Sequence, residues 1–144
     1  MSNVSDILKA KGKTIWSVSP KDTVFKTLQL MSEKNVGAVL VLEEEKIVGI
    51  FSERDFARHC AKGAVVPEKV LIKDMMTSKL FSVGADVTTD ECMSIMTTRR
   101  IRHLPVIENE KLVGLISIGD VVNRIIEDHK FSITQLERYI TGES

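Results

Sequence analysis

The chain has 144 residues, the length of one ordinary domain or of two very small halves sharing a core. Hydrophobic residues make up 43% of it, yet no apolar run approaches the roughly 18 residues that a membrane-crossing helix needs. Lys and Arg (20) balance Asp and Glu (20), so no global field draws nucleic acid or anionic lipid to it.

Taken in chain order, the segment from Met1 to Lys13 lacks the apolar stretch of a secretion signal, and a cytoplasmic location is expected. Ile15 to Val18 reads as a short strand and Ser19-Pro20-Lys21-Asp22 as a polar turn. Val24, Leu28, Met31 and Val36 then recur at helical spacing behind an N-cap at Asp22 or Thr23. Ala38 to Leu42 and Ile47 to Phe51 flank the acidic turn Glu43-Glu44-Glu45 as a β-hairpin, and a second helix starts near Ser52 to Asp55. The same order then returns. Leu80 to Val83 reads as a strand and Gly84-Ala85-Asp86 as a turn. A helix follows, capped at Thr88 or Thr89 and carrying Cys92, Met93, Ile95 and Met96. The hairpin strands Leu104 to Ile107 and Leu112 to Ile116 close around Glu108-Asn109-Glu110, and a last helix starts near Ser117 to Asp120. Cys60 and Cys92 form no C-x-x-C pair and read as small hydrophobic residues.

This return is a duplication. Ser17-Val18 aligns with Ser82-Val83, Thr23 with Thr88, Met31 with Met96, Gly49 with Gly114 and Asp55 with Asp120, all at one constant offset. Upstream, Val4-Ser5-Asp6-Ile7-Leu8 resembles Ile72-Lys73-Asp74-Met75-Met76 at an offset three residues longer, which puts an insertion around Lys11-Gly12-Lys13. One copy cannot bury both faces of its sheet, so two βαββα units docked sheet to sheet with pseudo-twofold symmetry are expected. The fold class is α+β (mixed α/β), with residues 1–66 as the first motif and 67–127 as the second. Residues 128–144 extend the last helix beyond the repeat, and along that helix, after Asp120, Val122, Ile125, His129, Ile133, Leu136 and Ile140 draw one stripe suited to packing in cis or in a homodimer.

Each hairpin runs into Ser-x-x-Asp: Ser52-Glu53-Arg54-Asp55 and Ser117-Ile118-Gly119-Asp120. Serine three residues before an aspartate at a helix start is a good cap. The same pair also suits a nucleotide, because a carboxylate can accept both hydroxyls of a ribose while the helix N-terminus meets a phosphate. The run of hydrophobic strand, Gly, two apolar residues, Ser and Asp, repeated in register, resembles the CBS domain. The chain from about Val4 to Glu127 looks like a tandem CBS pair, a Bateman module, of the stand-alone kind. That resemblance implies a non-catalytic regulatory module that senses AMP, ADP, ATP, NAD(H) or S-adenosylmethionine in clefts between the copies, with no metal required. By the same resemblance Asp55 and Asp120 would hold ribose, with Ser52 and Ser117 on ribose or phosphate. The base would lie against Ile15, Trp16 and Ser17 and against Leu80, Phe81 and Ser82. The hairpin residues Gly37, Ala38 and Val39 and His103, Leu104 and Pro105 would complete its surroundings.

The copies differ in their cations. Arg99, Arg100, Arg102 and His103 precede the second hairpin, where the first copy has Lys34, Asn35, Gly37 and Ala38. In AMP-sensing relatives, basic residues at the positions of Arg102 and His103 contact phosphate; a solvated basic helix end is the alternative. The first copy instead carries Arg54 and Arg58 one helical turn apart. Trp16 could stack on adenine or belong to the core. An unidentified effector protein is expected as partner, without nucleic acid or membrane. No P-loop, G-x-S-x-G, H-E-x-x-H or Rossmann pattern is present, and His59, His103 and His129 lack metal-ligand spacing, so no enzymatic activity is expected. A ligand-free structural or dimerisation module is the competing reading.

Overall fold

A computed structural model describes residues 1–141 of the chain. It is a mixed α/β protein with five α-helices and two small sheets among the described residues. Helix α1 (Val4–Lys11) is followed by β1 (Ser17–Val18), α2 (Val24–Lys34), the hairpin β2 (Ala38–Glu43) and β3 (Lys46–Ser52), and α3 (Glu53–Cys60). Two short 3-10 turns lead to α4 (Thr89–Arg99), the hairpin β4 (His103–Glu108) and β5 (Lys111–Ser117), and α5 (Ile118–Thr141). Gly142 to Ser144, the end of the expected C-terminal extension, lie outside the described residues.

The chain folds as two compact units, Thr14–Phe81 and Met1–Lys13 with the chain from Ser82 onward. In the first of these, β1 pairs parallel to β2 and β2 antiparallel to β3. Helix α2 starts where the Thr23 hydroxyl accepts the Lys26 N–H (3.1 Å), and it ends at Asn35 in the left-handed conformation. Its buried face, Val24, Thr27 and Met31, lies against a core of Val18, Val39, Val41, Phe51, Ile72 and Met75. Four consecutive residues of β2, Ala38, Val39, Leu40 and Val41, are buried, which is why that strand reads as a continuous apolar run.

The other unit repeats this plan. Thr88 caps α4, whose buried residues include Cys92 and Met96, and β4 pairs antiparallel to β5. The expected strand at Leu80 to Val83 shrinks to one parallel bridge, Val83 to Val106, and the strand expected at Ile15 to Val18 shrinks to Ser17–Val18. Both hairpin turns place non-glycine residues at positive φ, Glu44 and Glu45 in one and Asn109 and Glu110 in the other. The two-residue turn that fits the twist of antiparallel strands requires that conformation.

The leading segment of each copy lies on the hairpin of the other. Leu8 of α1 sits where a Cβ on Gly114 would be, 2.6 Å away, and Met76 stands in the same relation to Gly49 (2.6 Å). The backbone agrees: Val4 N–H donates to the Val87 carbonyl (2.9 Å), while Thr77 and Ile50 exchange both hydrogen bonds. The glycine in each hairpin is therefore explained by close approach of a neighbouring segment.

The last helix departs from its expected stripe at the first position. Val121, not Val122, is the fully buried residue, and Val122 is exposed. Farther along, Ile133, Leu136 and Ile140 are exposed, as are Phe131 and Tyr139. No described helix is long and apolar enough to cross a membrane.

Candidate functional site

Each Ser-x-x-Asp sequence forms a capping arrangement at a helix start. At α3, the Ser52 N–H donates to Asp55 Oδ2 (2.8 Å) and the Asp55 N–H to Ser52 Oγ (3.3 Å). The Ser52 hydroxyl also lies 3.0 Å from Asp55 Oδ2, and the Thr77 hydroxyl donates to Asp55 Oδ1 (2.9 Å). Asp55 is only 8% exposed, so its charge is compensated by these donors and by the helix N-terminus. At α5, the Ser117 N–H donates to Asp120 Oδ2 (2.8 Å) and the Asp120 N–H to Ser117 Oγ (3.1 Å). Here the third partner is a cation. Lys11 Nζ donates to Asp120 Oδ2 at 2.7 Å and to the Leu115 carbonyl at 2.9 Å.

Burial alone would raise the Asp120 carboxyl's pKa. The hydrogen bond and charge of Lys11, with the Ser117 donors, outweigh burial and hold it below the ordinary carboxylate value. For a carboxylate depressed on folding, the stabilisation is fully present above the unfolded pKa and is lost as pH falls through the folded one. Lys11→Met is therefore expected to flatten the acid limb of a stability-versus-pH curve below about pH 4, leaving the neutral region nearly parallel. Asp128 is held low first by the Ser2 hydroxyl and further by Arg124, so the variant retains that part of the acid limb.

In the unit Thr14–Phe81, the register carries several expected residues to one end of the sheet. Ala38 pairs with Ser52, and Glu53 N–H donates to the Gly37 carbonyl (3.1 Å). Leu40 N–H donates to the Trp16 carbonyl (3.2 Å), and Ser17 is the β1 partner of Leu40. Ile15, Trp16, Gly37, Ala38 and Val39 therefore lie at the sheet end that leads into α3. Trp16 is partly exposed, with Lys34 Nζ 4.6 Å from its ring centre as a cation–π contact, so it is not a core residue. Arg54 and Arg58 are exposed on α3.

In the other unit, His103 pairs with Ser117, and Ile118 N–H donates to the Arg102 carbonyl (2.8 Å), which matches the Gly37 contact in the first. Leu104 and Pro105 are buried in β4 and Arg102 is exposed, whereas Leu80 and Phe81 are half-buried coil at the end of the unit Thr14–Phe81. A groove of about 190 Å³ opens beside Asp120, lined by Ile7, Ala10, Lys11, Asn123 and Arg124. Thr77 and Lys11 are the two contacts on the aspartates that the sequence did not flag. Thr77 directly follows Asp74-Met75-Met76, and Lys11 stands in the insertion, but neither pairing has a local signature.

Among the described residues no group of three or more His, Cys, Asp or Glu is placed to hold a metal ion. Cys92 is buried and its thiol is pushed up to about 11, first by burial and then by Glu91, while Cys60 is exposed and free.

The model of the CBS domain matches residues 4–62 and 72–127. The chain belongs to the CBS-domain family. This CBS pair is 34% identical to the mitochondrial CBS domain-containing protein CBSX3 of Arabidopsis thaliana, over 98% of this chain and 73% of that protein. The solved CBS-domain containing protein ATU1752 from Agrobacterium tumefaciens shares 35% identity at a TM-score of 0.83, over 85% of this chain and 98% of that one. The CBS domain pair of protein MJ0100, solved with 5-methylthioadenosine and S-adenosylmethionine, is 21% identical at a TM-score of 0.75, over 86% of this chain and 99% of that one. At that identity the likeness concerns the fold. A CBS pair is thus the setting in which the two Ser-x-x-Asp helix starts occur.

Proposed function

We propose that this CBS pair is a non-catalytic regulatory module that binds an adenosine-containing ligand and acts on a separate partner protein. The observation that carries the reading is the twice-built helix start, where a carboxylate, a serine and a helix N-terminus converge at the open end of a hairpin. That set of groups suits a ribose diol with a neighbouring phosphate. Asp55 and Ser52 take the ribose in one site and Asp120 and Ser117 in the other. Arg54 and Arg58 supply cations near the first, and Arg102 and His103 near the second. Trp16, 36% exposed, offers an indole ring for the base to stack on. The adenosine-containing ligands in MJ0100 support the ligand class. AMP, ADP, ATP, NAD(H) and S-adenosylmethionine are the candidates.

Thermal melting of the wild-type protein with AMP, ATP, NAD, NADH and S-adenosylmethionine, each in excess, tests the reading. A ligand at about a hundred times its dissociation constant stabilises by about 2.7 kcal/mol, which raises the Tm by several degrees. A flat response to every candidate overturns it in favour of a ligand-free structural module. The internal bonding of Asp55, whose oxygens already meet Ser52 and Thr77, is the observation on that side.

The module acts as a homodimer in this reading. Phe131, Ile133, Leu136, Tyr139 and Ile140 are each more than half exposed on α5, and a second copy would cover them. A monomeric mass by light scattering at micromolar concentration would count decisively against it.

A further inference from the structure

The two aspartates differ in what already occupies them. Among the described residues Asp55 meets only neutral donors, the Ser52 N–H and two hydroxyls that can rotate away, whereas Asp120 holds the ammonium of Lys11. Lone pairs decide the consequence. A carboxylate oxygen accepts about two hydrogen bonds, and Asp120 Oδ2 already accepts the Ser117 N–H and Lys11 Nζ. A ribose diol that grips both carboxylate oxygens needs one of those places on Oδ2. The Ser117 N–H is fixed backbone at the start of α5, so the group that must leave is Lys11.

Lys11 is held in that place by its helix. Leu8, three residues earlier and on the same face of α1, is seated on Gly114, the residue before Leu115. Gly12 then ends α1 at φ +89, with its N–H on the Leu8 carbonyl (2.8 Å). Lys11 is thus the last helical residue, anchored to both the Leu115 carbonyl and Asp120. It belongs to the insertion that only the first copy carries. Thr77, from the equivalent leading segment of the second copy, reaches Asp55 with a neutral hydroxyl instead. Lys11 and Asp120 are 36% and 21% exposed, so the pair can open into water without stranding a buried charge.

We propose that Lys11 is a displaceable latch on Asp120, which makes the Asp120 site the weaker of two unequal sites and couples its occupation to release of the C-terminal end of α1. The proposal rests on the ribose-binding reading of Asp120. It also supplies a chemical basis for selectivity: a ligand whose anionic group accepts the displaced ammonium is favoured over a neutral nucleoside.

The test is calorimetric titration with adenosine, a neutral probe, and with AMP. Wild type, Lys11→Met and Lys11→Arg are compared with and without Asp55→Asn, which silences the first site. Removing a partly exposed ion pair that competes with the ligand is expected to tighten adenosine at the Asp120 site about three- to five-fold in Lys11→Met, with Lys11→Arg close to wild type. Raising salt from about 50 to about 300 mM is expected to tighten adenosine in wild type and not in Lys11→Met, since screening weakens the latch. Unchanged or weaker adenosine binding in Lys11→Met overturns the latch while leaving the sensor reading intact. Weaker AMP binding with unchanged adenosine binding assigns Lys11 to the phosphate and also overturns it. If neither probe binds any variant, the ribose-binding reading itself fails, and the latch with it.

Discussion

Replacing Phe51 with Ala is expected to lower the free energy of unfolding by about 3–5 kcal/mol, read from the midpoint of a urea transition. Phe51 is fully buried at the end of β3, packed among Val18, Val24, Met31, Val39, Val41, Ile72 and Met75. The loss has two parts, the apolar transfer energy of the ring and the cavity left where it stood. Val39, its partner across the hairpin, belongs to a strand buried along four residues and has little freedom to collapse into the space. Domains of this size are stable by only about 5–15 kcal/mol, so the loss is a large fraction of the total. Phe51→Leu keeps most of the volume and should cost no more than about 1.5 kcal/mol. Equal midpoints for Phe51→Ala and wild type would mean that the ring is not the centre of that core. Ser52 follows Phe51 directly, so a shift at this position is also felt at the start of α3.

How much of this is legible in the sequence depends on the range of the forces involved. The hairpins, α2, α4 and both caps are readable, because apolar runs, helical spacing and a threonine before each helix are local signals. Thr23 and Thr88 cap as the pattern implies. The first strand of each copy is shorter than its apolar run suggests. The run extends from Ile15 and from Leu80, but pairing with the hairpin exists only at Ser17–Val18 and at Val83. The last helix lies where the pattern puts it, while its buried side does not. Val121 and Val122 are adjacent and equally apolar, and only the packing of α5 chooses between them. The crossed placement of the leading segments has no local signature, since Leu8 and Met76 look alike and the repeat is silent on which hairpin each one covers. The carboxylates of the candidate site are legible through the duplication. Their partners are not, because Lys11 and Asp120 meet across more than a hundred residues of chain.

Asp55→Asn is the change with the largest expected effect on ligand binding, a loss of about a hundred-fold in AMP affinity at that site by calorimetry. The amide keeps the shape of the carboxylate and can still accept the Ser52 N–H with its oxygen, so the cap on α3 survives. Its NH₂ group then faces Thr77, whose hydroxyl can turn from donor to acceptor, and the cost to folding should stay near 1 kcal/mol. A ribose diol fares worse. It needs two acceptors, the amide offers one, and the charge that strengthened both hydrogen bonds is gone. Retained stability with lost affinity is therefore the signature that separates a ligand-holding aspartate from a capping one. Were Asp55→Asn to melt like wild type and also bind AMP like wild type, the Ser52–Asp55 pair would be a helix cap and nothing more. The ribose would then have to be sought elsewhere in the module.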